Sequence, residues 1–319
     1  MNSFPLQQVT DIGINKVADN APISGQDPHL TFCSPLSFEG ITWNKGLTLT
    51  EQRSMAIALS ISGAFEGGDG WSNITNNFDG MGLSAGLLNQ TLGTDSLQPL
   101  LAEMQSRNET VFNSSFSASH LRSIGAMLEE WKNSTSWKPK SLATRMALAT
   151  NRDALPLDSF ASSQSASVSW AKFNLYYVNG TFIPSWKNEI QSLLNQPAYI
   201  SLQVEAAGRY HAKAMEYLHR IGIYDLRAYL LMFDIITQNG SIKESRFVEW
   251  AQKVQSLRLT SIESKLMLLV DLRVLDSDPQ WQADVRARKY TLINGFGKVH
   301  GKTLNLTKAY CYAATDPVR

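Results

Sequence analysis

The sequence predicts a mainly α-helical fold with a small irregular β element. Residues 48–51, Thr-Leu-Thr-Glu, have the form of a capping box, which marks the start of a helix. From Ile183 to the end, helical periodicity continues almost without interruption. The segment from Trp71 to Asp79 is short, polar and rich in turn-forming residues, which favours an irregular hairpin.

The elements can be assigned in chain order. Residues 1–45 are rich in Pro, Gly, Asn, Asp and Ser, so they are predicted to form an extended arm or linker ahead of the main domain, residues 46–319. The helix that starts at the capping box runs to about residue 64 and is apolar on most of its circumference, which indicates burial. Residues 83–90 are predicted as a short helix, and Pro99 suits the first turn of the next one. Further helices are predicted at residues 121–131, 141–150, 199–219, 226–237, 247–257, 262–275 and 280–293, with a surface loop at 158–169.

The composition excludes some classes of partner. The chain has 319 residues, of which 43% are hydrophobic, and this is enough for one large domain or for two lobes with separate cores. The formal net charge of +1 provides no general attraction to nucleic acid or to an acidic membrane surface. The sequence shows neither a signal-peptide pattern nor an apolar run long enough to span a membrane.

The cysteines and histidines predict no metal site, and no cofactor is expected. Cys33 and Cys311 lie near opposite ends of the chain, and both a disulfide and two buried free thiols are compatible with the sequence. The five histidines are scattered without the spacing of metal ligands.

A glycine-rich loop with two acids gives the strongest functional signal. Glu66 follows Ala64 and Phe65 at the end of the first helix, and Asp79 lies in the loop that runs from Gly67 to Gly86. Glycoside hydrolysis needs a protonated carboxylic acid and a second, ionised carboxylate. An apolar pocket around Glu66 would favour its protonated form, whereas the polar loop would favour ionised Asp79. The pair is therefore predicted to act as acid and base.

The same residues resemble the active-site signature of bacterial chitosanases of the lysozyme superfamily. The matching positions are Glu66, the run Asp79-x-x-Gly-x-Ser84, Gly86 and Asp95. The resemblance implies that Glu66 is the general acid, that Asp79 is the general base and that Ser84 helps to hold the attacking water. The segment between the two acids is shorter than in that family (79 − 66 = 13 positions) and lacks its tyrosine, so that Trp71 is the nearest aromatic residue.

A second, looser resemblance covers roughly residues 50–305. It is to the peptidoglycan-degrading domains of phage and of type VI secretion spike proteins. It implies a lysozyme-like fold with two lobes around a central cleft, muramidase activity with inversion, and use as an antibacterial effector or phage lysin. The motifs that carry it are Phe65-Glu66-Gly67, the loop from Asp79 to Gly86, Phe233-Asp234-Ile235, Gln238-Asn239-Gly240, and Gly295-x-Gly297-x-Val299-His300-Gly301.

This second resemblance also sets expectations for partners and location. The substrate would be the glycan strands of peptidoglycan, and a cognate immunity or inhibitor protein would be a further partner. The protein would be secreted without a visible signal peptide and would act in the periplasm or on the cell wall of a target cell. The candidate substrate-binding residues are Trp71, Asp69, Asn89, Gln90, Asp95 and Asp234.

Several alternatives remain open from the sequence. Asp234 lies on a strongly apolar helix, and an ion pair with Arg227, Arg286 or Arg288 is favoured over a position in the cleft. The activity could be that of a chitosanase, or that of a lytic transglycosylase in which Glu66 alone serves as acid and then base. The chain could instead be a non-catalytic glycan-binding module or a structural helical domain with a partner-binding loop.

Overall fold

A computed structural model describes residues 33–68, 70–135, 165–311 and 313–318. The described parts are mainly α-helical with two small antiparallel sheets, which confirms the predicted fold class at this level. The predicted helix at 141–150, most of the predicted arm and Asp69 lie outside the described residues. The helices are α1 (Leu49–Glu66), α2 (Gln98–Arg107), α3 (Glu109–Ser114), α4 (Ala118–Ser134), α5 (Ala166–Asn174), α6 (Pro184–Leu194), α7 (Pro197–Ile221), α8 (Leu226–Asn239), α9 (Glu244–Ser256), α10 (Ile262–Val274), α11 (Gln282–Asn294) and α12 (Leu306–Tyr310).

The first helix begins where the capping box predicts. The Thr48 side chain accepts a hydrogen bond from the backbone N–H of Glu51, and the Glu51 carboxylate accepts one from the N–H of Thr48. The ten residues from 54 to 63 are all buried, which agrees with the apolar circumference of this helix. The helix extends to Glu66, so the candidate acid belongs to its last turn and takes its position from a buried, rigid element.

A three-stranded sheet follows α1, and here one prediction is wrong. The strands are β1 (Ile74–Thr75), β2 (Ser84–Ala85) and β3 (Gln90–Thr91), in the order β1-β2-β3. Residues 83–90 therefore form two strands and a turn instead of the predicted helix. The backbone φ angles of Gly82, Gly86 and Asn89 are +81°, +83° and +49°, which places them in the left-handed region and interrupts any right-handed helix.

Buried hydrophobic residues form two clusters. The first contains α1 together with α8, α10 and α11 and the C-terminal part of α7. The second contains the small sheet, α2 and α4 to α6, and the N-terminal part of α7. The glycine-rich loop contributes Leu87 to the first cluster and Leu83 to the second. The loop with the candidate base therefore lies where the two clusters meet.

The N-terminal described segment is fixed to the body of the protein. Cys33 and Cys311 form a disulfide, with their Cα atoms 5.1 Å apart, which decides the alternative that the sequence left open. The ring of Phe38 stacks on Trp43 and meets Trp71 edge-on. The predicted arm is thus packed against the core over residues 33–47.

The C-terminal part ends in a hairpin that the sequence analysis did not predict. Strands β4 (Phe296–Val299) and β5 (Lys302–Asn305) pair after α11, and α12 follows them. The loop predicted at 158–169 overlaps the start of α5 at Ala166, where Ser165 caps the helix. In the described part of the chain, no helix is long and apolar enough to cross a membrane.

Candidate active site

Glu66 lies at the end of α1 with its side chain about one-fifth exposed, at 20%. Its Oε1 accepts a hydrogen bond from Nη2 of Arg288 at 2.7 Å. Its Oε2 has only a long contact, 3.5 Å from the side-chain nitrogen of Asn89. The expectation of an apolar pocket around this acid is wrong, because a guanidinium group lies against it.

Arg288 belongs to a buried network of charges beneath Glu66. The Arg288 side chain is 1% exposed and donates two hydrogen bonds to Oδ1 and Oδ2 of Asp234, at 2.6 and 2.9 Å. Lys289 also donates to the Asp234 carboxylate, and Ser62 donates to its Oδ1 at 3.0 Å. The two acids and two bases sum to a formal charge of zero, so that every charge in this network has a partner.

The electrostatics of this network favour ionised Asp234. Burial alone would raise the pKa of Asp234, but the positive charges of Arg288 and Lys289 outweigh it and hold the pKa well below its usual value. Burial lowers the pKa of Lys289 to about 8, against the opposing effect of Asp234. Arg288 donates more hydrogen bonds to Asp234 than to Glu66. Asp234 therefore compensates most of the positive charge of Arg288.

Two asparagines connect Glu66 to the small sheet. The Asn89 side-chain amide donates to the backbone carbonyl of Glu66 at 3.1 Å, and its oxygen accepts from Asn73 at 2.8 Å. Gly67 leaves room for this arrangement, since a Cβ at that position would lie 2.3 Å from Oδ1 of Asn73. These hydrogen bonds therefore connect the end of α1 to the loop.

Asp79 lies on the other side of the loop and is exposed. It ends a short 3₁₀ helix, Asn77–Asp79, and its Oδ1 accepts a hydrogen bond from the N–H of Met81 at 3.0 Å. Tyr176 is close to it: burial, and then the charge of Asp79, raise the pKa of the Tyr176 hydroxyl, which donates to the carbonyl of Gly82 at 2.6 Å.

Ser84 is the third predicted catalytic residue. It lies in β2, paired with Thr75 and Thr91, and is 4% exposed. The adjoining turn is fixed by the buried Gln203, whose Oε1 accepts from the N–H of Leu87 at 2.8 Å. A Cβ on Gly86 would lie 2.5 Å from this oxygen, so the close approach requires glycine there.

Three of the predicted substrate-binding residues are buried, and for these the prediction is wrong. Asp234 is completely buried in the charge network, which agrees with the favoured ion pair and leaves it no exposed surface. Trp71 is 6% exposed, and its indole N–H donates to the carbonyl of Ser37. Gln90 is 5% exposed. Internal polar contacts therefore take up Asp234 and Trp71, whereas Gln90 is buried with no hydrogen-bond partner for its Oε1 among the described residues.

The other predicted substrate-binding residues differ in their positions. Asn89 contacts Glu66 directly and is partly accessible. Asp95 is exposed at a turn with a φ of +55°, and its carboxylate accepts from the Gln98 amide at 3.1 Å. Asp69 lies outside the described residues. Among these, only Asn89 is brought against a candidate catalytic group.

Sequence reasoning missed Arg288 as a partner of Glu66, and it also missed Asn73 and Tyr176. Arg288 was considered only for Asp234, because that pairing is signalled by an acid on an apolar helix. Its contact with Glu66 spans 222 positions, which no local pattern indicates. Tyr176 occupies the neighbourhood of Asp79 although the loop itself contains no tyrosine.

The comparisons with known proteins identify no family for this chain. No protein-family model matches the sequence, and no curated protein is significantly similar to it. Among the residues that the structure describes, no group of three or more His, Cys, Asp and Glu side chains is arranged to hold a metal ion.

Proposed function

We propose that this protein is a glycoside hydrolase of the muramidase type, which cleaves β-1,4 linkages in peptidoglycan by an inverting acid/base mechanism. The supporting observation is the placement of two unlike carboxyl groups around one loop. Glu66 is fixed on the side of the first hydrophobic cluster, whereas Asp79 is exposed near Tyr176 of the second. Two cores that meet at this loop are also what a lysozyme-like fold with two lobes and a central cleft requires.

Glu66 is the proposed general acid. Arg288 occupies Oε1 and fixes the orientation of the side chain, which leaves Oε2 as the oxygen that can approach the leaving group. Arg288 is also paired with Asp234, and binding of the glycan would displace water from around Glu66. The O–H then donates its proton to the glycosidic oxygen as that bond breaks.

Asp79 is the proposed general base, and the predicted part of Ser84 in positioning the attacking water is not carried over, because Ser84 is as buried as Trp71 and Gln90. The carboxylate removes a proton from a water molecule on the opposite face of the sugar ring, which inverts the anomeric centre. An inverting enzyme leaves room for this water, with its carboxyl groups about 6.5–9.5 Å apart. The exposure of Asp79 gives water direct access to it.

Product analysis tests this proposal. Purified peptidoglycan is incubated with the wild type, Glu66→Gln and Asp79→Asn, and the soluble fragments are analysed by mass spectrometry and by NMR of the anomeric protons. The wild type is expected to release fragments with reducing ends of inverted configuration. Glu66→Gln should reduce turnover by about a hundredfold or more, because it removes the proton donor with little change in volume.

Each alternative predicts a different product. Anhydro-muramyl ends would identify a lytic transglycosylase, and cleavage of chitosan without cleavage of peptidoglycan would identify a chitosanase. Binding of glycan without turnover by the wild type would identify a non-catalytic module. Normal turnover by Glu66→Gln, with circular dichroism like that of the wild type, would refute the acid assignment.

The proposed activity implies where the protein acts. A wall hydrolase acts in the periplasm or on the cell wall of a target cell, which is also an environment in which the Cys33–Cys311 disulfide is stable. Use as an antibacterial effector or phage lysin fits this location. A producing cell that makes such an effector needs an immunity protein, and co-purification of the protein with a neighbouring gene product of its own operon tests for one.

A further inference from the structure

A broad groove of about 510 Å³ opens next to Asp79. It lies between the short 3₁₀ helix Asn77–Asp79 and the turn that joins α5 to α6. Phe78, which lines it, is the immediate neighbour of the candidate base. The groove therefore lies beside the segment that carries the candidate base, on the side of the second hydrophobic cluster.

Several large hydrophobic side chains are exposed along the walls of this groove. Four of the ten exposed large hydrophobic residues in the described parts of the chain lie here, and this concentration marks a binding surface rather than chance exposure. Phe173 is 88% exposed, Phe78 77% and Tyr177 53%, and Val178 is fully exposed. Aromatic faces of this kind are available for stacking.

The turn that carries Tyr177 and Val178 is held by its own hydrogen bonds. Tyr176 forms a β-bridge with Phe182, and their rings meet edge-on with centroids 4.9 Å apart. The N–H of Tyr177 donates to the carbonyl of Thr181 at 2.9 Å, and Gly180 closes the turn with a φ of +78°. The backbone that carries Tyr177 is thus held in place before any ligand binds, which reduces the entropic cost of binding.

Two polar residues complete the groove. Lys172 is exposed and pairs with no carboxylate in the described part of the protein. Asn76 precedes the 3₁₀ helix, and its side chain makes no capping hydrogen bond, so its amide can bond a ligand. Aromatic faces with a few polar groups are typical of sites for ligands such as sugars.

We propose that this groove is a subsite for sugar rings of an acidic glycan strand. Phe173 and Tyr177 stack on the C–H faces of the rings, and Lys172 pairs with a carboxylate on a lactyl or peptide substituent. This inference rests on the proposed function, since it takes the strand that passes Asp79 to be the occupant. The charge of Lys172 favours such a strand over chitosan, whose protonated amines it would repel.

Binding measurements in an inactive background test the subsite. Glu66→Gln is combined with Phe173→Ala, Tyr177→Ala or Lys172→Glu, and binding to insoluble peptidoglycan and to uncharged N-acetylglucosamine oligomers is measured. Trp281→Ala is the matched control, because Trp281 is an aromatic residue 59% exposed elsewhere on the surface. Turnover of peptidoglycan by the wild type is measured separately.

Phe173→Ala or Tyr177→Ala should weaken binding of both glycans about tenfold, because each removes one stacking surface. Trp281→Ala should bind both glycans as the Glu66→Gln parent does. Lys172→Glu should weaken binding of peptidoglycan alone, and that difference should shrink at high salt. Parent-like binding by both aromatic variants would overturn the subsite, even if the wild type hydrolyses peptidoglycan normally. Glycan binding that the groove substitutions weaken, together with no turnover by the wild type, would support the subsite and refute the proposed activity. The subsite would also be overturned if the groove variants alter self-association or the binding of a protein but leave glycan binding unchanged.

Discussion

Substitution of Asp234 by Asn should destabilise the protein strongly. The change keeps the volume and removes one of two negative charges from the buried network, so that Arg288 keeps its bond to Glu66 while Lys289 loses the carboxylate to which it donates. Asp234 and both of its cationic partners are at most 1% exposed, so water cannot replace the lost charge. Removing one partner from a buried ion pair costs about 3–5 kcal/mol.

Urea unfolding, followed by far-UV circular dichroism and tryptophan fluorescence, measures this effect. With a slope of about 3 kcal/mol per molar urea, the midpoint should fall by about 1–1.7 M. Glu244→Gln is the control, because it also removes one carboxylate, but from an exposed pair with Arg220. The control should unfold close to the wild-type midpoint.

A second variant tests the charge balance itself. Asp234→Asn combined with Lys289→Met restores a formal charge of zero, so it should recover part of the stability that the single change loses. The reasoning is refuted if Asp234→Asn shifts the midpoint no more than Glu244→Gln does. It is also refuted if the double variant is less stable than the sum of its two single variants predicts.

Gly67→Ala should lower turnover of peptidoglycan with little change in circular dichroism, because its Cβ would displace Asn73 from a site 2.3 Å away. Gly125→Ala, where a Cβ meets no atom within 4 Å, should leave turnover unchanged. Cys311→Ser should lower the melting temperature of the oxidised protein, and calorimetry should show a loss of up to about 5 kcal/mol for opening so long a loop. Since the pKa of Asp234 is held below its usual value, its stabilisation is complete above about pH 5 and decreases as the pH falls through 4. Urea midpoints at pH 7 and pH 3 should show this decrease, and Asp234→Asn should abolish that part of it.

Local signals predicted much of the helical architecture. The capping box at Thr48 located the start of α1, and Gly222, with a φ of +68°, ends α7 just past its predicted end. These features succeed because a few neighbouring residues determine them. The ion pair of Asp234 was also predictable in kind, since a carboxylate on an apolar helix needs a partner.

The surroundings of the site depend on distant residues and were not predictable in this way. Residues 83–90 contain small and apolar side chains compatible with a helix, yet Leu83 and Leu87 pack into different hydrophobic clusters. That division follows from tertiary structure, as does the burial of Trp71 by Phe38. The position of Glu66 at the end of a helix, with Asp79 in the loop that follows, is predictable from the sequence, whereas the guanidinium against Glu66 is not.

The Cys33–Cys311 bond has a topological consequence for any route across a membrane. Once it forms, 278 positions of sequence are closed into a ring, so the denatured protein is a loop rather than a single thread. A pore that admits one extended strand must then accommodate two side by side. Transport by threading therefore has to come before oxidation, whereas a machine that carries the protein already folded imposes no such order.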